Sequence, residues 1–172
     1  MHTIRYWAQT RVLEAVRDQT GTGHHRQFSR EEVVIATVVQ YFSSRGLQVE
    51  QLTDISKTLR AALLSDEWAW DCLNGAIRGD FKVFMVVPDQ GLEHGWISLY
   101  SESTETHNGI QLSQPIIATI DGVAKTVMVI RAATQAELAG IFGRMTDENP
   151  GVKAVLLNTC FARLRSEWHE RK

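Results

Sequence analysis

The sequence predicts an α+β fold, helical over its first half and mixed strand and helix over its second, on three observations. Capped apolar stripes at helical spacing fill residues 29 to 78, β-branched and aromatic runs begin at residue 81, and an Asp-Gly pair separates two such runs at 121–122. At 172 residues the chain has room for one domain or a small one with a modest second, and the change of character near residue 79 divides it into units of 1–78 and 79–172. Its 44 % hydrophobic and 22 % charged residues are the balance of a folded chain and exclude disordered and fibrous classes.

Ser29-Arg30-Glu31-Glu32 reads as a capping box, with the Ser29 hydroxyl accepting from the third helical amide and Glu32 reaching back to the cap amide. The helix it opens carries Ile35, Val38, Val39 and Phe42 on one face, and Gly46 supplies the left-handed residue that ends it. A second helix aligns Leu52, Ile55, Leu59 and Leu63. Ser65-Asp66-Glu67 caps a third, with Trp68, Cys72, Leu73 and Ala76 inward.

Beyond Gly79-Asp80, Phe81 to Val87 reads as a strand closed by the turn residues Pro88 to Gly91, Trp96 to Tyr100 continues the strand pattern, and Ser101 to Gly109 is a polar loop. Ile116 to Ile120 and Val123 to Ile130 form a hairpin about Asp121-Gly122. Thr134-Gln135-Ala136-Glu137 is another capping box, opening a helix with Leu138, Ile141, Phe142 and Met145 inward and stopped by Asn149-Pro150-Gly151. In the last segment Leu157, Phe161, Leu164 and Trp168 have helical spacing, although Val152 to Leu157 can also be read as a strand.

Little here points to chemistry. Cys72 and Cys160 lie far apart with no metal-ligand spacing around them, so both read as small buried apolar residues and no metal site is expected. Gly21-x-Gly23 lacks the third glycine, the strand and the acidic residue of a dinucleotide site. Ser98 or Ser101 can be drawn into a triad with His94 or His107 and Asp89, but no nucleophile-elbow sequence supports it, so no catalytic residue, no cofactor and no enzymatic activity are expected. Trp68, Trp70, Trp96 and Tyr100 could line an apolar ligand pocket, a reading that competes with plain core packing. The longest apolar runs fall far short of the ~20 residues of a membrane span, and the first residues do not resemble a secretory leader, so a cytoplasmic protein with no membrane partner is expected.

Charge is unevenly placed. The net value is minus 2, yet residues 1 to 30 hold five arginines against two acids, so a polyanionic partner would dock at the N-terminal end. Ile4-Arg5-Tyr6-Trp7 and Val12-Leu13 suggest a short helix with a basic and aromatic face. The stretch from Thr20 to Ser29 has glycines at 21 and 23 that permit a reversal, and a basic tip at His24, His25 and Arg26, so it reads as a β-wing able to approach phosphates.

Three motifs in order, Ile4-Arg5-Tyr6-Trp7, Arg26-x-Phe28-Ser29-x-x-Glu32-Val33 and Gly46-Leu47-x-Val49-x-x-Leu52, resemble the winged-helix DNA-binding domain of MerR-type transcriptional regulators. The resemblance covers the N-terminal third and implies a homodimeric regulator that bends double-stranded DNA. It implies that Arg5 and Tyr6 meet the major groove or its flanking phosphates, with Thr3, Arg11 and Arg30 in the same contact set. His24, His25 and Arg26 would follow the adjacent backbone, Phe28 would pack the wing, and Ser29, Glu32 and Gly46 would be its capping residues. Residues 79–172 would then serve dimerisation or the sensing of an unidentified small-molecule effector.

Family domains begin with a further helix, whereas Met1 stands almost where the recognition helix starts. The helix-turn-helix is therefore expected to lack its first helix; if that helix is truly lost, Ile4, Trp7 and Val12 would be partly uncovered, a reading that competes with plain core packing for Trp7 and Tyr6. Two alternatives follow: a protein-interaction or dominant-negative remnant that uses this face, and a small-molecule sensing module centred on the second half.

Overall fold

The structure is a computed structural model, and it describes residues 2–16, 26–87, 96–102, 113–134, 136–140 and 153–168. Helix α1 (His2–Gln9) comes first. Helix α2 (Arg30–Ser43) starts where Ser29 Oγ accepts the Glu32 amide at 3.2 Å, with Glu31 and Glu32 placed favourably in the first turn. Its buried stripe is Val34, Ile35, Val38, Val39 and Phe42, and past its end Gly46 (φ +84°) reverses the chain so that the Leu47 amide reaches the Phe42 carbonyl at 3.3 Å.

Helix α3 (Val49–Ser65) follows, its entry tied by the Gln48 amide to Gln51 Oε1 at 3.1 Å, with Leu52, Ile55, Leu59 and Leu63 all buried as the spacing predicts. Helix α4 (Glu67–Arg78) is capped by Asp66, whose Oδ1 accepts the Trp68 amide at 2.8 Å. The break at Asp66 restarts the helical phase. Trp68, expected inward, stands in the first turn and is 47 % exposed, while the buried stripe runs through Ala69, Cys72, Leu73, Ala76 and Ile77.

Strands β1 (Val83–Val87), β2 (Ile97–Glu102), β3 (Ser113–Ile120), β4 (Val123–Ala133) and β5 (Lys153–Leu156) form one mixed sheet in the order β3-β4-β2-β1-β5. Strand β1 is antiparallel to β2 and β5, β3 to β4, and β2 runs parallel to β4. Asp121 (φ 52°) and Gly122 (φ 80°) are both left-handed, as the tight turn between right-twisted strands requires. After β4 the chain is helical over 136–140, here α5. The capping box at its start closes in both directions: the Thr134 amide and hydroxyl donate to the Glu137 carboxylate at 2.7 and 2.9 Å, and the Glu137 amide donates to Thr134 Oγ1 at 3.3 Å. The bond from the Thr134 amide, then that from its hydroxyl, hold the Glu137 carboxyl below its ordinary 4.5, so this contribution is complete above that range and is lost as pH falls through the lowered value.

Both readings of the last segment hold in turn, since β5 runs directly into α6 (Leu157–Cys160) and α7 (Ala162–Trp168). Val83, Met85, Ile97, Leu99, Ile116 and Met128 meet the helical stripes in a single core that continues across residue 79 and includes Phe161. Helix α3 lies on β2, β3 and β4, while α6 packs on α2, α4 and β1. Leu138 of α5 covers a smaller cluster of Val86, Tyr100, Ala133 and Phe84. The turn at 88–91, the loop from 103 to 109 and the helical positions Ile141, Phe142 and Met145 with their stop at 149–151 lie outside the described residues.

Asn158 of α6 staples the helices to the sheet. Its Oδ1 accepts the Val83 amide at 2.9 Å, and its Nδ2 donates to the carbonyls of Phe81 at 2.8 Å and Ala76 at 3.1 Å. Asn158→Ala strips partners from three part-buried backbone groups and is expected to cost about 2–3 kcal/mol in urea unfolding, with an unchanged m-value.

Candidate nucleic-acid interface

Helix α1 turns Trp7 inward and Ile4, Arg5, Tyr6 and Gln9 outward. Trp7 is 4 % exposed and Val12 fully buried, so the expectation that both would lie partly uncovered is corrected: they belong to the main core, and of that group Ile4 alone, at 51 %, stays on the surface. Arg5, Tyr6 and Gln9 are exposed beside it. The helix ends as the Thr10 amide and hydroxyl both bond the Tyr6 carbonyl, at 2.9 and 3.0 Å, and the Leu13 amide bonds the Trp7 carbonyl at 3.1 Å. Between them Arg11 takes a left-handed φ of 60°, a conformation that costs a non-glycine residue about 1–2 kcal/mol, and its side chain is exposed.

Residues 17–25 of the expected wing lie outside the described residues, and only the chain on either side of them is described. There the Val16 amide donates to the Gln27 carbonyl at 2.8 Å, bringing the two ends of the intervening segment together. His24 and His25 lie outside the described residues, and of Thr3 the backbone alone is described, as part of α1. Arg26 is half-buried and reaches α1, its Nη1 donating to the Arg5 carbonyl at 3.4 Å. Phe28, partly buried, packs against the main core.

A buried charge cluster beneath these elements is the feature that sequence reasoning missed. Arg60 of α3 donates from Nε and Nη2 to the two carboxylate oxygens of Glu32, the second at 3.1 Å, and Nη2 also points to the Val12 carbonyl at 3.4 Å. Glu32 Oε2 in turn accepts the Glu14 amide at 2.9 Å, and the Glu14 carboxylate lies 3.3 Å from Arg60 Nη1. The Arg60 and Glu32 side chains are only 13 % and 5 % exposed. The expected second arm of the capping box at Ser29 is therefore corrected: the Glu32 carboxylate faces Arg60 and the α1–wing connection, where desolvation makes a two-pronged guanidinium partner far more valuable than a cap amide. A signal was present, for Glu32 stands in line with the apolar stripe of Ile35 and Val39, and Arg60 adjoins Leu59.

Arg30, expected among the DNA contacts, stands exposed at the start of α2. Its guanidinium lies 4.1 Å from the Trp168 ring centroid and 5.3 Å from that of Trp70, so the structure commits it to the aromatic rings of α7 and α4. The four aromatics offered as pocket lining do not gather either. Trp70 is with Arg30 and Trp168, Tyr100 lies in the small cluster under α5, and Trp68 and Trp96 are exposed. Both thiols are free. Burial pushes Cys72 up to about 12, and burial opposed by the nearby Arg45 leaves Cys160 at about 12 as well, so both stay protonated at neutral pH.

Residues 1–59 match the family model described as MerR HTH family regulatory protein. This N-terminal region is accordingly of the MerR type, in general a DNA-binding regulator, and it is followed by the small sheet unit. Compared with curated proteins, the chain finds no match. Among the described residues no helix is long and apolar enough to cross a membrane, and no cluster of His, Cys, Asp and Glu is set to hold a metal ion.

Removing one member of the buried pair leaves the other uncompensated. Glu32→Ala is expected to lower unfolding stability by about 3–5 kcal/mol, whereas the double replacement Glu32→Leu with Arg60→Met recovers most of the loss in the same denaturant titration.

Proposed function

We propose that the chain is a transcriptional regulator of the MerR type that binds duplex DNA through α1 and the wing whose stem joins Val16 to Gln27. The observation that carries this reading is the placement of exposed Arg5, Tyr6 and Arg11 around a helix locked inward by Trp7, within the region that matches the family. Cations fixed on a rigid scaffold suit both phosphate contact and reading of base edges, and the local charge excess lies here. Thr3, His24 and His25 complete the proposed contact set, with Arg26 following the backbone and steadying α1 through the Arg5 carbonyl. Residues 79–172 act in dimerisation or effector sensing, the working form is a homodimer, and the protein acts in the cytoplasm.

Arg11 sharpens the reading. A strained conformation held by an exposed cation is understandable where the cation is needed, because glycine would fit that backbone without strain. Arg11→Gly is expected to leave stability unchanged or raise it by up to about 1 kcal/mol while weakening DNA binding. Arg5→Ala is expected to cost about 1–3 kcal/mol of DNA affinity and to reduce base preference. Fluorescence anisotropy with a pool of random duplexes at low salt tests both. A folded protein that binds none of them overturns the proposal.

A further inference from the structure

The first turn of α2 is gripped from two opposite sides. On one, Glu32 is held by Arg60 and bonds the Glu14 amide, fixing the chain that leads out of α1. On the other, Arg30 lies against Trp168 and Trp70, whose rings are 6.2 Å apart and tilted by 50°. The Trp168 indole is itself anchored, its Nε1 donating to Asn74 Oδ1 at 3.2 Å. Helix α7 is anchored in turn by Arg165, whose Nε donates to the Ile77 carbonyl at 2.8 Å. Arg30 follows Gln27 of the Val16–Gln27 stem by only three residues, so its contact with Trp168 links α7 to the start of α2 close to that stem.

We propose that Arg30, Trp70 and Trp168 form an aromatic clamp through which the C-terminal helix sets the position of the wing, and hence the strength of DNA binding. This rests on the DNA-binding reading above. Arg30 is thus a positioning residue, acting on DNA through the wing stem and not by touching phosphate. Two indoles at cation–π distance around one guanidinium hold it more selectively than an apolar surface would, because the attraction depends on its charge. By linkage, a ligand or partner that displaces α7 weakens DNA binding, and bound DNA tightens the clamp by the same factor.

The test uses the full chain and three variants, Trp168→Leu, Arg30→Met and Arg30→Lys. Hydrogen exchange at the Val16 amide, which closes the wing stem, is read in the free protein, and DNA affinity is read across a salt series. Expected are faster exchange at Val16 and about fivefold weaker DNA binding for Trp168→Leu and Arg30→Met, substantial recovery in Arg30→Lys, and no further loss when Trp168→Leu and Arg30→Met are combined. The salt slope stays that of the parent. A slope lowered by about one unit in Arg30→Met, with Trp168→Leu unaffected, would mean direct phosphate contact and overturn the clamp. Unchanged Val16 exchange in Trp168→Leu overturns it as well, as does faster exchange with parental affinity. Absence of DNA binding by the folded parent chain instead overturns the reading beneath it, and the exchange data then stand apart from that failure.

Discussion

A guanidinium removed from water must find partners for its donors or destabilise the fold, and Arg60 meets that requirement by drawing three chain segments to one point. The Glu32 carboxylate comes from α2, the Val12 carbonyl and Glu14 from the connection after α1, and Arg60 itself from the middle of α3. Apolar contacts such as those of Trp7 and Val12 are permissive about orientation, whereas a two-pronged ion pair fixes angle as well as distance. Arg5 of α1 and Arg11 just beyond its end lie on the segment that this buried arginine ties down at Val12 and Glu14.

The sheet unit makes a second demand on the helices. Helix α3 presents its apolar stripe to β2, β3 and β4, while α6 wedges between α2, α4 and β1. One core therefore spans the whole chain, and the change of character near residue 79 marks a change of secondary structure without a gap in packing. In such an arrangement a disturbance at the sheet is felt at the helices through contiguous side chains, and the Asn158 staple makes the coupling polar and directional.

Much of this was legible in local sequence. Helix starts at Ser29 and Thr134, the reversal at Gly46 and the Asp121-Gly122 turn are each set by a few adjacent residues whose backbone chemistry admits few alternatives. The N-terminal motifs likewise carried the family. What could not be read depends on pairing distant residues. Arg30 meets Trp168 across nearly the whole chain, and Glu32 abandons its cap amide for Arg60 on another helix.

The strand order has a consequence for how the molecule comes into being. Strand β1 needs β5, made some seventy residues later, to complete its antiparallel ladder, and the helical layer needs α6 to fill the space beneath it. A ribosome releases α6 long after α2 and α4, so these helices emerge with their apolar undersides open to water. Non-local closure of this kind slows folding and prolongs the interval in which unfinished chains can stick to one another, which makes prompt docking of β5 and α6 the step on which a clean yield of protein turns.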